Sequence, residues 1–403
     1  MSIKILINTD ESIPSLGNLP TYTNGLLARI GKKPVISHII EFYPKDTNFI
    51  VALGHYGNHV RDFLLLTYPD CNFEYIEEGR HHESDAQLPE VKKILEKARH
   101  EAGSSEDELH KLGEAVFIFD KFVIKFFADE VVVKNRAERG RVLDGFVPHV
   151  EGVRGNFFRY RFVPGELYSH VVQLNDFKQF LIWAQNSFWR DEREVDDATF
   201  MKVCRSFYLD KTERRIDQFF KANNLEDTDH VINGEHVPSF KEVFKLVDFD
   251  RLSKGWQSRF HGDFILDNIL KTKDGYCLLD WRQDFGGLLY GGDRYYDFAK
   301  LNHNLTVNHN VINKNLFTIE CDGKNVRVEI MRSGTLVECQ VTLFDFLRGH
   351  KYDTRKVRFL TALIWLNMAP LHHHPFNLFL YYFGKLHLWQ ALRQNDIARK
   401  LWY

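Results

Sequence analysis

The stretch at residues 260–270, FHGDFILDNIL, sets one His, two Asp and one Asn among strongly apolar neighbours. Polar groups in an apolar run cost free energy unless something satisfies them, so their grouping points to a bound ligand. Asp263 and Asn268 can face one small space if the segment between them is a tight loop. After Asn268, NILK reads as a strand, TKDG as a turn and YCLLD as the returning strand. The arms of such an antiparallel hairpin lie about 5 Å apart, which predicts Asp280 beside Asn268. A carboxylate and an amide oxygen converging with few other ligands suit Mg²⁺ held together with substrate phosphates. Asp263, just before the pair, is placed to accept a proton from a hydroxyl nucleophile. Each piece alone is a weak signal, because His-Gly-Asp occurs in many turns and a buried Asp before Trp can be a cap or half of an ion pair. The joint pattern HGDxxxxN, hairpin, LLDW is what points to chemistry.

The elements that must position these groups can be read from the periodicity. Residues 1–80 alternate β and α: IKILI, NFIVALG and NFEYIEE as strands, with PVISHIIEFY and NHVRDFLLLTY as helices between them. That order predicts a small parallel sheet with crossover helices, over 1–85. Residues 86–110 are charged and poor in aromatics, a linker carrying a helix at 89–101. From 111 to 168, AVFIFD and FVIKFF form a hairpin, DEVVVKNRAERGRVLDGF a helix, and FFRYRFVPGELYS a strand ending at Pro-Gly. Residues 169–403 are mostly helical, interrupted at 315–342, where LFTIE, VRVEIM and TLVECQVTL read as three strands joined by Asp-Gly and Ser-Gly turns. The fold class is therefore α+β.

Bulk properties exclude several functions. A formal net charge of −2 gives no concentrated basic surface for nucleic acid. Five Cys, at 71, 204, 277, 321 and 339, form no CxxC pair, which argues against a disulfide scaffold and a zinc site and favours a reducing compartment. MSIKILINTDES reads as a strand broken by acidic residues rather than a secretory signal. No apolar run reaches the length of a membrane span. A cytoplasmic location is the expectation.

The segments HGDFILDNIL, LLDWRQDFGG and YGGDRYYDFAKL resemble the choline kinase and aminoglycoside phosphotransferase superfamily, whose fold is protein-kinase-like. The resemblance covers roughly residues 111–403. It implies a small β-rich lobe, a large helical lobe, and use of ATP and Mg²⁺. It makes Asp263 the catalytic base and Asn268 and Asp280 the magnesium ligands, with Asp293 and Asp297 bracing the catalytic loop. Lys125 in FVIKFF would pair with the nucleotide phosphates, helped by Glu138, or alternatively Glu130, from the following helix. Adenine would meet the backbone near Phe162 and Val163. No Gly-rich phosphate loop is present, and Arg282 stands where many relatives carry Glu. Arg282 could grip a phosphate or an acidic substrate group, or pair with Asp284 for structure.

The opening eighty residues resemble the start of sugar-phosphate nucleotidyltransferases, a Rossmann-like α/β domain. Gly31, Lys32, Lys33 and Pro34 match, but the loop at 8–18 lacks the glycines that let backbone approach a triphosphate. A truncated, degenerate copy serving as a packing or dimerising module follows. The combined expectation is a kinase acting on a hydroxyl of a sugar or an amino alcohol such as choline, in bacterial capsule or other surface polysaccharide synthesis. The alternatives are a pseudokinase scaffold that binds nucleotide, and nucleotidyl transfer by the first domain. Choline would require an aromatic cage, for which Trp256, Trp281, Tyr295 and Tyr296 are available. His303 and His309 are candidates to line the acceptor site. The run His372-His373-His374 is not a joint metal site, since adjacent helical residues point different ways.

Overall fold

A computed structural model of the chain describes residues 4–9, 22–77 and 113–400. The helix expected at 89–101 and most of the loop at 8–18 lie outside them. The chain divides into two compact units, Met1–Pro164 and Gly165–Tyr403, and strands and helices are mixed in an α+β arrangement.

In the first unit, strands Lys4–Asn8, Asn48–Leu53 and Asn72–Glu77 form a parallel sheet with Asn48–Leu53 in the centre. Parallel neighbours need crossovers, and helices Val35–Phe42 and Gly57–Thr67 supply them. Helix Val35–Phe42 buries Val35, Ile36, Ile39 and Ile40, the one-sided stripe that a 3.6-residue period produces. A second, antiparallel sheet runs in the order Glu114–Ile118, Phe122–Phe127, Phe157–Arg161, Val150–Arg154. One hydrophobic cluster joins the two sheets. Phe63 of the first region lies 5.4 Å from Phe117 and 5.8 Å from Phe157 of the second, both edge-on. Helix Glu130–Val142 begins where the Asp129 carboxylate accepts from the Val131 N–H.

The second unit is mainly helical. Helix Arg294–Thr306 is buried along nearly its whole length and packs against helix Thr354–Met368, which packs in turn against Phe376–Lys400. A three-stranded sheet of Glu166–Leu167, Ile269–Thr272 and Gly275–Leu278 carries the hairpin expected from NILK-TKDG-YCLL. All five cysteines are free thiols. Among the described residues no helix is long and apolar enough to cross a membrane.

The expected three-stranded insert is corrected to two strands and a helix. Phe317–Asp322 and Asn325–Ile330 pair antiparallel, and the latter continues into a sheet with His230–Ile232 and Glu235–Val237. The segment read as the third strand is helix Gly334–Gly349. Ser333 caps it through the Leu336 N–H, and Cys339, Leu343, Phe344 and Leu347 are buried at helical spacing. The Ser-Gly pair that reads as a turn is thus an N-cap, and the apolar period is 3.6 rather than 2.

Candidate active site

The FHGDFILDNIL stretch and the hairpin after it lie wholly in the second unit. The hairpin register pairs Ile269 with Leu278, and the Leu279 N–H donates to the Asn268 carbonyl at 2.7 Å. Asn268 therefore faces Leu279, one residue short of the expected partner. Asp280 follows at the point where the chain leaves the strand, with a φ of +56°. That is the left-handed region, which Asp tolerates better than most side chains. The Arg282 N–H then donates to the His261 carbonyl at 3.0 Å, tying the post-hairpin turn to the HGD loop.

Within that loop, the Asn268 side-chain amide donates to the Asp263 carbonyl at 3.0 Å and to its carboxylate at 3.2 Å. With the amide nitrogen turned toward Asp263, the amide oxygen is the atom suited to a cation. The Asp263 N–H donates to His261 Nδ1 at 3.2 Å, which requires that nitrogen to be unprotonated. Gly262 sits at φ +85°, and a Cβ there would meet the Arg282 Cβ at 2.6 Å, so only glycine fits between the loop and the turn.

Asp297 holds the loop from below. Its buried carboxylate accepts from the His261 N–H at 2.8 Å, the Gly262 N–H at 2.7 Å and the Trp189 indole at 3.2 Å. Asp293 does the same for the neighbouring wall. It accepts from the Trp256 N–H at 2.9 Å and the Tyr208 hydroxyl at 2.8 Å, caps helix Arg294–Thr306, and pairs with buried Lys356 at 2.9 Å. Asp297 is thus hydrogen-bonded to the HGD loop itself, whereas Asp293 is bonded to segments beside it.

One charged group beside Asp263 was not apparent from the sequence. Lys300 Nζ lies 2.6 Å from Asp263 Oδ1. Burial pulls the ammonium down, but the Asp263 carboxylate outweighs it and leaves Lys300 above its ordinary value. The signal was present: Lys300 follows Asp297 by three positions on a helix otherwise buried throughout, and i, i+3 residues share a face. Of the two histidines, His303 is buried, 6.3 Å from the Trp365 ring. Burial first, and the Lys300 charge after it, hold it well below its ordinary value. His309 is exposed, 3.6 Å from Asp267.

Arg282 meets Asp284 through that residue's backbone. Its Nε donates to the Asp284 backbone carbonyl at 3.0 Å, and its guanidinium lies 5.0 Å from the Phe207 ring centre. The Trp256 ring already faces Arg294 at 4.9 Å, Tyr295 faces Lys356 at 4.5 Å, and Trp281 is buried. The Trp256 and Tyr295 faces hold the protein's own cations, and Tyr296 lines a cavity with Phe207 and Tyr208.

The remaining expected residues belong to the first unit. Lys125 is buried on the Phe122–Phe127 strand, opposite Val116 and Phe158. Glu138 is engaged with Arg141 at 3.1 Å on the exposed side of its helix, and Glu130 with Lys134 at 3.6 Å. These surface pairs are the i, i+3 and i, i+4 neighbours that helical spacing favours. The Phe162 N–H donates to the Lys121 carbonyl at 2.9 Å. Val163 follows it two positions before the boundary between the units.

No protein-family model matches the chain, and no curated protein matches it in sequence. Solved structures with partial likeness include a choline kinase from Cryptosporidium parvum, at 10% identity over 73% of this chain and 89% of that one, with a TM-score of 0.38. An ethanolamine kinase from Plasmodium vivax is similar at 12% identity over 77% of this chain and 91% of that one, TM-score 0.37. A choline/ethanolamine kinase family protein from Mesorhizobium loti is similar at 13% identity over 73% and 94%, TM-score 0.34. Overlaps this low assign neither a fold nor an activity.

Proposed function

We propose that the chain is a small-molecule phosphotransferase of the protein-kinase-like type, moving the γ-phosphoryl group of ATP to an alcohol. The observation that carries this is the local wiring of Asp263. A half-exposed carboxylate is fixed by Asn268 on one side and Lys300 on the other, in a loop pinned by a buried Asp297.

The chemistry follows from those groups. Asp263 orients the acceptor hydroxyl and takes its proton as the oxygen bonds to the γ-phosphorus. The bond between that phosphorus and the bridging oxygen breaks, and ADP leaves with the electron pair. Lys300 holds the Asp263 carboxylate in place and adds positive charge beside the transferring group. Asn268 and Asp280 offer hard oxygen donors of the kind that suits Mg²⁺, which supplies charge neutralisation on the phosphates when bound. Lys125 takes the nucleotide-anchoring role that the FVIKFF match implies.

Purified protein, Mg²⁺ and ATP should release ADP in the presence of an alcohol acceptor, and Asp280→Asn should raise the Mg²⁺ concentration required for half-maximal rate. Acceptor-dependent pyrophosphate release instead of ADP would place the activity with nucleotidyl transfer. Nucleotide binding without turnover of any acceptor would support the scaffold alternative.

A further inference from the structure

A cavity of about 170 Å³ opens in the second unit against Lys300, the residue that holds Asp263. Among the described residues its charged lining is of one sign: Lys211, Arg215, Arg282 and Lys300, with no Asp or Glu. Lys211 Nζ lies 4.3 Å and the Arg282 guanidinium 5.0 Å from the same Phe207 ring, so the two cations converge. A second cavity shares Phe207, Lys211 and Arg282 and adds Lys202 and Arg214. The acid there is Asp284, whose Oδ1 already accepts from the Gly287 N–H at 2.9 Å. Among the described residues Lys211 has no carboxylate within 4.0 Å.

Like charges gathered in a concave, partly apolar space repel, and the natural remedy is an anion. Burial, with the Arg282, Lys300, Arg215 and Arg214 charges after it, holds Lys211 well below its ordinary value. A bound anion would relieve that. The far wall, Leu360, Leu363 and Ile364, is apolar and suits a carbon skeleton. Asp293 fixes the near wall by holding the hydroxyl of Tyr208, another lining residue.

We infer that the acceptor of the proposed reaction is an anionic alcohol, one bearing a phosphate or carboxylate group that Lys211, Arg215 and Arg282 hold while its hydroxyl meets Asp263. The inference rests on the phosphotransferase assignment above. The anionic group is unchanged in the reaction: the hydroxyl oxygen bonds to the γ-phosphorus of ATP, its proton passes to Asp263, and ADP departs. Guanidinium forks suit both phosphate and carboxylate. A cationic acceptor such as choline would enter a positive field.

The test compares matched acceptors at saturating Mg²⁺ and ATP: neutral hexoses, hexose monophosphates, hexuronic acids and choline. At least one anionic class should show a KM about tenfold or more below its neutral counterpart. Lys211→Met and Arg215→Gln should each raise that KM about tenfold or more while leaving the KM for ATP unchanged. A rise in the KM for ATP instead would assign the cations to the nucleotide and overturn the inference, as would a preference for neutral or cationic acceptors untouched by Lys211→Met. Either result leaves the phosphotransferase assignment standing. If no acceptor is turned over, that assignment fails, and calorimetric binding of inorganic phosphate to the nucleotide-saturated protein becomes the readout. Binding lost in both variants upholds the anion site, and binding absent from the wild type removes it.

Discussion

The Lys300 ammonium lies 2.6 Å from the Asp263 carboxylate, while the Asn268 amide meets the other oxygen of the same carboxylate at 3.2 Å. A carboxylate held on both sides keeps one orientation, which a base needs if it is to receive a proton from a set direction. Asp263→Asn should lower kcat by about 10²–10⁴-fold with the melting temperature little changed. Lys300→Met should lower kcat in the wild-type background but add little loss to Asp263→Asn, because the two residues act as a unit. Steady-state kinetics of the four proteins in that cycle read this out, and fully additive losses would separate Lys300 from the base.

Asp297 should matter for folding as much as for rate. It satisfies two backbone N–H groups and the Trp189 indole, all buried. Asp297→Ala leaves these donors without an acceptor, at a cost of about 3–5 kcal/mol for removing the charged partner. Asp297→Asn keeps an acceptor oxygen and should lose less. Urea titration monitored by tryptophan fluorescence orders the three proteins.

Gly262→Ala should impair the site without a change in chemistry. The added methyl would have to occupy φ +85° and press on the Arg282 Cβ at 2.6 Å. A loss of about 1–3 kcal/mol in stability and a reduced kcat are expected. A variant with wild-type stability and rate would show that the loop and the Arg282 turn are not in contact in solution.

Acid should destabilise the second unit through His387. Its ring lies 4.3 Å from Phe383 and 5.1 Å from Trp365, and burial pushes its pKa down to about 4, from 6.5 unfolded. Between those values the unfolded chain binds a proton that the folded one refuses, so stability is full above pH 6.5 and falls as pH drops toward 4. At pH 5 the loss is on the order of 2 kcal/mol. His387→Leu should flatten the dependence of Tm on pH across that window, and an unchanged slope would assign the acid sensitivity to other groups.

The hairpin was legible because turn residues and strand runs are local, and TKDG between ILK and YCL leaves few alternatives. The bracing role of Asp293 and Asp297 was legible only through motif resemblance, since it depends on contacts with Tyr208 and Trp189 far away in the chain. The helix at 334–349 was missed because β-branched and apolar residues in TLVECQVTL fit a strand locally. The period over sixteen residues decides for helix once Ser333 is seen as a cap. The register, pairing Ile269 with Leu278, puts Asp280 one residue beyond Leu279, which hydrogen-bonds to Asn268, a detail that arm length alone does not fix. The basic cavity was invisible in sequence, because Lys211, Arg282 and Lys300 come from three separate segments of a chain whose formal net charge is only −2.

The most direct test follows transfer of label from γ-³²P ATP to a mixed set of phosphorylated, carboxylated and neutral alcohols in the presence of Mg²⁺, with wild-type protein and Asp263→Ala side by side. Label should appear in an acceptor with the wild type and be lost with Asp263→Ala, while nucleotide binding by calorimetry stays within about twofold. Equal labelling by both proteins would contradict the account, because transfer would then proceed without Asp263 to receive the proton.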